Sequence, residues 1–232
     1  MCSRMGSRVK FAVLSDIHGN RPALEATLAD LSFVDKILCC GDIVGYYPDV
    51  NEVCEILQER EVFAIRGNHD AYVLGLLEPD PAKREKYYTD WTRSHLSEDS
   101  RRWLASLPEE RKINADELSL HLRHASPWDE ETYIYPDSPL LAKISLNRNE
   151  VLILGHTHHA MLMRAGEGLV LNPGSVGQPR DWNPMAGYAL IDTMSGHIEH
   201  RRVTYDVKGF QTRLQSLGWD ATLIEILSRK KS

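Results

Sequence analysis

The chain has 232 residues, of which 42% are apolar and 26% are charged, and its net charge at pH 7 is −6. This length and apolar content suit one domain with a sizeable core, and the negative charge argues against a general nucleic-acid-binding surface. No apolar run approaches the roughly 20 residues that span a bilayer, and the first ten residues lack the apolar region of a secretory signal. We therefore expect a single domain over residues 1–232, a cytoplasmic location and no membrane partner.

The cysteines are consistent with a reducing compartment. They are Cys2, Cys39, Cys40 and Cys54. Cys39 and Cys40 are neighbours in an apolar run, so on a strand their side chains point to opposite faces, which is poor geometry for a disulfide between them. No CxxC spacing indicates a thiolate metal site. We expect free, reduced thiols, as in cytoplasmic proteins.

The first third of the chain alternates between strand and helix patterns. The helix after the first strand has Asn20 as its predicted N-cap and Pro22 in its first turn. Short apolar runs predict strands at 9–16, 35–42 and 61–68, and apolar residues at helical spacing predict helices between them. This alternation predicts a parallel sheet with helices on both faces.

The remainder of the chain is less regular. Charge-rich residues 71–117 predict a helical cap insertion with helices at about 82–106, packed onto the body by Tyr87, Tyr88, Trp91 and Trp103. After it the patterns predict a strand at 117–124, a helix at 138–148, a strand at 150–156, hairpins turning at 165–168 and 195–196, and a helix from Trp219.

Nine polar residues of the kinds found at metal sites each lie at the carboxyl end of a predicted strand. They are Asp16, His18, Asp42, Asn68, His69, Asp70, His124, His156 and His158. In open α/β sheets this edge is where ligands bind, so these scattered residues should converge.

The donors are imidazole, carboxylate and amide oxygen, which suit a borderline divalent ion such as Mn, Fe, Ni, Co or Zn. They are too rich in nitrogen for magnesium or calcium. The set exceeds what one tetrahedral site needs, whereas two ions sharing a carboxylate would use it fully. Asp42, near the sheet centre, is the natural bridge.

Five short motifs, in the order SDIHGN, GDIVG, RGNHD, HASP and GHTH, resemble those of the calcineurin-like metallophosphoesterases. NPGSVGQPRD at 172–181 narrows the resemblance to the small bacterial and archaeal phosphodiesterase branch. The match covers most of residues 9–206. The resemblance implies a four-layer αββα sandwich in which the terminal hairpins belong to the second sheet.

The resemblance also implies residue roles and a reaction. Asp16, His18 and His158 would hold one ion and Asn68, His124 and His156 the other, with Asp42 bridging. His69 would be the general acid and Asp70 would orient its ring, so that a hydroxide shared by the ions attacks the phosphorus of a small phosphate ester, which could be a nucleotide.

Two departures bear on the substrate. The related protein phosphatases carry an arginine after their GD motif that grips phosphate, and here the tract is GDIVGYYPD without one. Arg180, in a loop that the resemblance places near the site, could take its place. Also, His124 is followed by Ala125 where the family commonly has glycine. We expect a phosphodiesterase; the alternatives are a phosphomonoesterase or nucleotide phosphatase, and a non-catalytic scaffold on the same fold.

Overall fold

The computed structural model describes residues 9–230. Its first part consists of three parallel strands and two helices: β1 (Lys10–Leu14), α1 (Arg21–Ala29), β2 (Lys36–Cys39), α2 (Val50–Glu59) and β3 (Phe63–Ala64). Asn20 caps α1 by accepting a hydrogen bond from the N–H of Ala23, and Pro22 lies in its first turn. The strand and helix order predicted for this part is confirmed.

Four helices follow β3: α3 (Asn68–Leu74), α4 (Pro81–Arg84), α5 (Thr89–His95) and α6 (Glu98–Ser106). The predicted boundary of the helical insertion at residue 117 is wrong, because Glu110–Ala115 form a strand, β4, antiparallel to β5 (Leu118–Arg123). Arg111, Ile113 and Ala115 are half-buried in β4 and alternate with exposed polar residues. The helices therefore end at Ser106, and β4 is an edge strand of the second sheet.

The second sheet has the strand order β4-β5-β6-β8-β7, where β6 is Glu150–Ile153, β7 is Met161–Ala165 and β8 is Gly168–Asn172. The predicted helix at 138–148 is reduced to a 3-10 helix, Pro139–Lys143, capped by the side chain of Ser138. Leu146 instead makes a β-bridge to Gly166. The pairing with the sheet outweighs the weak helical pattern of this segment.

The last hairpin consists of β9 (Ala186–Asp192) and β10 (His197–Val203). The expectation that it belongs to the second sheet is wrong, because β9 pairs antiparallel with β1 and the first sheet has the order β10-β9-β1-β2-β3. The first six residues of β9 are all buried, as expected for an inner strand that is covered on both faces. Two helices follow, α7 (Val207–Ser216), which was not predicted, and α8 (Ala221–Ile226).

The two sheets pack face to face through a common apolar core. Phe11, Val13 and Leu38 of the first sheet meet Leu120 and Ile153 of the second. Helices α1, α2 and α6 cover the outer face of the first sheet, and residues 134–146, with the 3-10 helix, cover that of the second. The predicted αββα sandwich is confirmed. This packing brings the carboxyl ends of β1, β2, β5 and β6 to the same edge.

Within residues 9–230, no helix is both long and apolar enough to cross a membrane. Cys39, Cys40 and Cys54 are buried free thiols, as expected. Cys2 lies outside the described residues.

Candidate metal centre

All seven predicted metal ligands lie at the edge where the two sheets meet, and none exposes more than 4% of its surface. Each follows the carboxyl end of a strand: β1, β2 or β3 in the first sheet, or β5 or β6 in the second. They are Asp16, His18, Asp42, Asn68, His124, His156 and His158.

Five of the seven have left-handed backbone conformations, which non-glycine residues seldom adopt. The φ angles are 54° at Asp16, 52° at His18, 54° at Asp42, 66° at His156 and 59° at His158. Each such residue costs on the order of 1–3 kcal/mol and persists only where its surroundings hold it, a pattern that clusters at functional sites. The loops after β1, β2 and β6 are therefore bent at the residues whose side chains converge.

The first group consists of Asp16, His18, Asp42 and His158, with one ligand atom of each within 4.8 Å of all the others. His18 Nε2 is 3.1 Å from His158 Nε2 and 3.6 Å from Asp42 Oδ2, and His158 Nε2 is 3.2 Å from Asp16 Oδ1. Two imidazoles and two carboxylates facing one small space form a donor set for a divalent cation.

The second group consists of Asp42, His124 and His156, again within 4.8 Å. His124 Nε2 is 3.2 Å from Asp42 Oδ2, and Asn68 Oδ1 is 2.9 Å from His156 Nδ1. Asp42 thus belongs to both groups, and the same oxygen, Oδ2, faces His18 in one and His124 in the other.

The other ring nitrogen of three histidines lies against a backbone carbonyl. The Nδ1 atoms of His18, His124 and His158 are 3.2, 2.7 and 2.6 Å from the carbonyl oxygens of Val44, Cys40 and Gln178. Carbonyls only accept hydrogen bonds, so Nδ1 carries a proton in all three rings, and in the neutral rings of His18 and His158 Nε2 holds a lone pair. The Nε2 atoms of His18 and His158 then face each other as two acceptors, and His124 Nε2 has no hydrogen-bond partner in residues 9–230. Bound cations would satisfy all three, so the residues present fit a metal centre.

The electrostatics of the site agree with this fit. Burial lowers the pKa of His18 and His158, and burial together with His124 lowers that of His156 to about 3, so these rings are neutral and able to bind metal. Burial also lowers the pKa of His124, but the carboxylate of Asp42 outweighs it and raises the pKa to about 10. The space beside Asp42 therefore favours positive charge.

Two glycines leave room for the carboxylates. A Cβ atom on Gly67 would lie 2.2 Å from Asp42 Oδ1, and one on Gly155 would lie 2.1 Å from Ser15 Oγ and 2.9 Å from Asp16 Oδ2. Real Cβ atoms essentially never come this close. Both positions therefore require glycine for the carboxylates to stay where they are.

His69, the predicted general acid, lies beside the first group and is 6% exposed. Its ring centroid is 4.9 Å from that of His18 and is enclosed by Tyr87 at 4.4 Å, Tyr46 at 4.7 Å and Tyr72 at 5.6 Å. Its backbone N–H donates to Asp42 Oδ1 at 2.8 Å. Burial lowers the pKa of the His69 ring to about 4, against the opposing effect of Asp42.

Asp70 has a different role from the one expected. Its Oδ1 accepts from the N–H groups of Ile43 and Val44, both at 3.0 Å, and its Oδ2 accepts from the N–H of Gly67 at 2.9 Å. The expectation that Asp70 orients the ring of His69 is wrong, because no hydrogen bond connects these two side chains within residues 9–230 and the carboxylate instead accepts from backbone amides. The carboxylate ties the loop after β2 to the start of α3.

Arg180 lies beside the metal-binding side chains, where it contacts His158 and Tyr46. Its backbone N–H donates to the carbonyl of His158 at 3.3 Å. Its Nη2 donates to Tyr46 Oη at 2.9 Å and to Gln178 Oε1 at 2.7 Å. The guanidinium also contributes to lowering the pKa of His69, which places a fixed positive charge near the ring.

Several residues at the site had no distinctive signal in the sequence. Tyr87 was expected only to pack the cap, yet its ring contacts His69. Tyr133 lies 3.8 Å from the ring of His156, and the carbonyl of Glu131 is 3.1 Å from His156 Nε2. Their loop has no repeating pattern, so only the folded chain reveals these contacts.

Comparison with known proteins agrees with this geometry. The calcineurin-like phosphoesterase superfamily domain matches residues 9–196. An uncharacterized protein of Methanocaldococcus jannaschii is 33% identical over 217 residues, covering 85% of this chain and 88% of that protein. Phosphodiesterase YfcE of Escherichia coli K12 is 29% identical over 209 residues, covering 79% and 88% respectively. A crystal structure of a metallophosphoesterase from Sphaerobacter thermophilus superposes with a TM-score of 0.81 at 29% identity, covering 96% of this chain and 99% of that one. The chain therefore belongs to the calcineurin-like phosphoesterase superfamily and is a metal-dependent phosphoesterase.

Proposed function

We propose that the chain hydrolyses phosphodiesters at a centre of two divalent ions. Asp16, His18 and His158 would hold one ion, Asn68, His124 and His156 would hold the other, and Asp42 would bridge them. The observation that carries this proposal is the position of Asp42 Oδ2, 3.6 Å from His18 Nε2 and 3.2 Å from His124 Nε2. One oxygen thus serves both groups of donors. The mixed nitrogen and oxygen donors favour Mn, Fe, Ni, Co or Zn.

Ions bound there would lower the pKa of a coordinated water and offset negative charge on the phosphoryl oxygens. The chain supplies the rest of the chemistry. His69, beside the first group, donates a proton to the leaving oxygen as the bond from phosphorus to that oxygen breaks. Burial, with a smaller contribution from Arg180, lowers the pKa of His69 to about 4. The negative charge of a phosphodiester next to the ring would raise this pKa again, so that the substrate helps to protonate its own general acid.

Arg180 is the residue that we propose holds the substrate phosphate. Its Nη2 is fixed by Tyr46 and Gln178, while its Nη1 makes no hydrogen bond to another side chain in the described part of the chain. A guanidinium held in this way suits an anionic oxygen. It would replace the arginine that is absent from the GDIVG tract.

A phosphodiester is the preferred substrate because the relative from E. coli that matches 79% of this chain is named a phosphodiesterase. The substrate is a small phosphate ester, which could be a nucleotide. We propose that the helical segment over Tyr87 acts as a cap that selects it, and that the enzyme works in the cytoplasm, since Cys39, Cys40 and Cys54 are free thiols.

The test is His69→Ala. We expect this variant to keep its metal content and to lose about 10²–10⁴-fold in kcat on a diester with an alkoxide leaving group, the usual contribution of a general acid. The loss on bis-p-nitrophenyl phosphate with added Mn²⁺ should be roughly tenfold or less, because p-nitrophenolate leaves without a proton.

His121→Ala is the matched control, since this ring lies on β5 and pairs with Glu110 instead of the cluster. Its kcat should equal that of the wild type on both substrates. Equal losses on the two substrates for His69→Ala would contradict the general-acid role. A faster reaction with p-nitrophenyl phosphate than with its diester would favour a monoesterase.

A further inference from the structure

A positively charged cavity of about 360 Å³ opens beside His69. Tyr46 and Tyr87, the two side chains with ring centroids nearest to that of His69, both line it. Its other lining includes four cations and no carboxylate; the cations are Lys83, Lys86, Arg180 and Arg229. The chain as a whole has a net charge of −6, so this concentration of positive charge runs against the overall balance.

Three of these cations have no ion-pair partner among residues 9–230. No carboxylate of the described chain lies within 4.0 Å of Lys83, Lys86 or Arg229, whereas their neighbour Arg84 pairs with both Glu78 and Asp90. The side chain of Asp220, near Lys86, caps α8 by accepting from the N–H groups of Thr222 and Leu223. The cations are therefore available to a ligand.

A second cavity, of about 340 Å³, shares the lining residues Lys83, Tyr87 and Tyr133 with the first. It reaches the metal ligand His156, and its lining carries three carboxylates, those of Glu78, Asp80 and Glu131. An anion would be repelled from this cavity and attracted to the first. The two sides of the site thus differ in charge.

The position of His69 relates these cavities to the two ends of a substrate. A general acid must lie next to the leaving oxygen. Tyr87, the tyrosine nearest to His69, lines both cavities, whereas Tyr46, the next nearest, lines only the basic one. Arg180, which donates a hydrogen bond to Tyr46, lies on this same side of His69. During hydrolysis, water loses one proton and adds to phosphorus as hydroxide, the bond from phosphorus to the leaving oxygen breaks, and that oxygen takes the proton of His69, which regains a proton from solvent. The basic cavity is therefore the space next to the proposed general acid that could receive the released alcohol.

We propose that the substrate carries a second anionic group, a phosphate or a carboxylate, on its leaving-group side, and that Lys83, Lys86 and Arg229 bind this group. The inference rests on the proposed function, because it uses His69 to define the leaving-group side. It narrows the substrate class to phosphodiesters whose released alcohol is itself an anion.

The test uses three methyl aryl phosphodiesters that differ only at the para position of the leaving phenol: carbamoyl, carboxylate and phosphonomethyl. The carbamoyl group is neutral and has about the same size as the carboxylate. Comparison of the carboxylate with the phosphonate shows whether the site prefers a monoanion or a dianion. With Mn²⁺ present, we expect the wild type to have kcat/KM about tenfold higher for each anionic compound than for the carbamoyl compound, a difference of about 1.4 kcal/mol. The larger of the two effects identifies the preferred anion.

The variant K83A/K86A/R229A should lose this preference and keep kcat/KM for the carbamoyl compound within twofold of the wild type. The matched control K112A/K143A/R148A removes the same charge from exposed positions that line neither cavity and should keep the preference. Lys86→Glu, a single exposed change, should lower kcat/KM for the anionic compounds only.

Equal kcat/KM of the wild type for all three compounds overturns the proposal, and so does a preference that survives in K83A/K86A/R229A. Failure of the wild type to hydrolyse these compounds and bis-p-nitrophenyl phosphate would instead contradict the proposed function. In that case, the three compounds are titrated into the protein in the presence of EDTA, and their binding is measured by calorimetry. Tighter binding of the anionic compounds by the wild type than by K83A/K86A/R229A supports it, and equal binding overturns it.

Discussion

Asp42 is the residue through which the two groups of metal-binding side chains are connected. Its Oδ2 faces His18 and His124, and its Oδ1 accepts from the N–H of His69. It is 1% exposed and in a left-handed conformation with φ of 54°. One buried carboxylate therefore contacts residues from both sheets and the start of α3, and its charge opposes that of every cation bound beside it.

Asp42→Asn should remove this charge while keeping the shape of the side chain. We expect metal content, measured by mass spectrometry of the purified protein, to fall below two ions per chain, and kcat on bis-p-nitrophenyl phosphate to fall about 100-fold or more, because loss of even an outer-shell partner costs about 10–100-fold. Asp49→Asn is the control, since Asp49 is also buried but pairs with Arg213. Two ions at full occupancy in Asp42→Asn would refute the bridge.

Gly67 determines whether Asp42 can stay in place. An added Cβ would lie 2.2 Å from Asp42 Oδ1 and 2.4 Å from its backbone nitrogen, so Gly67→Ala must displace the carboxylate. We expect reduced metal content in the purified variant. Gly196→Ala, where an added Cβ meets nothing within 4 Å but φ is +66°, should cost stability without changing metal content. An unchanged metal content in Gly67→Ala would show that the loop can move aside.

At the scale of elements, the segment that connects α7 and α8 packs between α5 and the metal-binding edge. Trp219, just before α8, stacks on Tyr88 with ring centroids 4.4 Å apart and meets Trp91 edge-on at 4.9 Å. Its Nε1 donates to the carbonyl of Tyr46 at 2.6 Å, and the ring of Tyr46 contacts His69. The C-terminal helices thus support the wall of the active site, although they supply no predicted metal ligand.

Trp219→Ala should destabilise the protein by about 3–5 kcal/mol, because it removes a large ring that is 9% exposed and leaves a cavity. Urea unfolding followed by circular dichroism measures the loss. Metal content should not change. Leu217→Ala, at a position 51% exposed, should alter stability by no more than about 0.5 kcal/mol. A similarly small effect of Trp219→Ala would mean that the C-terminal helices are not coupled to the fold.

At the scale of the whole molecule, the two sheets converge at a cluster of carboxylates and imidazoles that is unfavourable without cations. His18 Nε2 and His158 Nε2 are 3.1 Å apart, and the ligands come from loops that follow strands of both sheets. Bound metal therefore favours the folded chain over the unfolded one, in which these residues lie far apart along the chain.

Metal removal should accordingly lower the midpoint of thermal unfolding. At a free metal concentration 100 times the dissociation constant, binding stabilises by about 2.7 kcal/mol per site, which for a chain of this size corresponds to about 5–10 °C. Calorimetry with Mn²⁺ and with EDTA measures the shift. Asp42→Asn should show a smaller difference between the two conditions. Identical midpoints for the wild type would contradict coupling between metal binding and folding.

The sequence alone determined the alternation of β1 to β3 with α1 and α2, and the placement of donor residues at strand ends. Both are local properties: apolar spacing distinguishes strand from helix over a few residues, and parallel strands place their carboxyl ends at one edge. The motifs around Asp16, Asp42, Asn68 and His156 by themselves indicate metal binding, without information on tertiary contacts.

Only the tertiary structure decided the features that depend on distant partners. Residues 110–115 became a strand because β5 lies beside them, the last hairpin joined β1 instead of the second sheet, and the pattern at 138–148 gave way to a short 3-10 helix. Asp70 accepts hydrogen bonds from three backbone amides, and Tyr87, between α4 and α5, contacts His69. In each case the deciding energy comes from a strand pairing, a hydrogen bond or a ring contact between residues that the local sequence pattern does not relate.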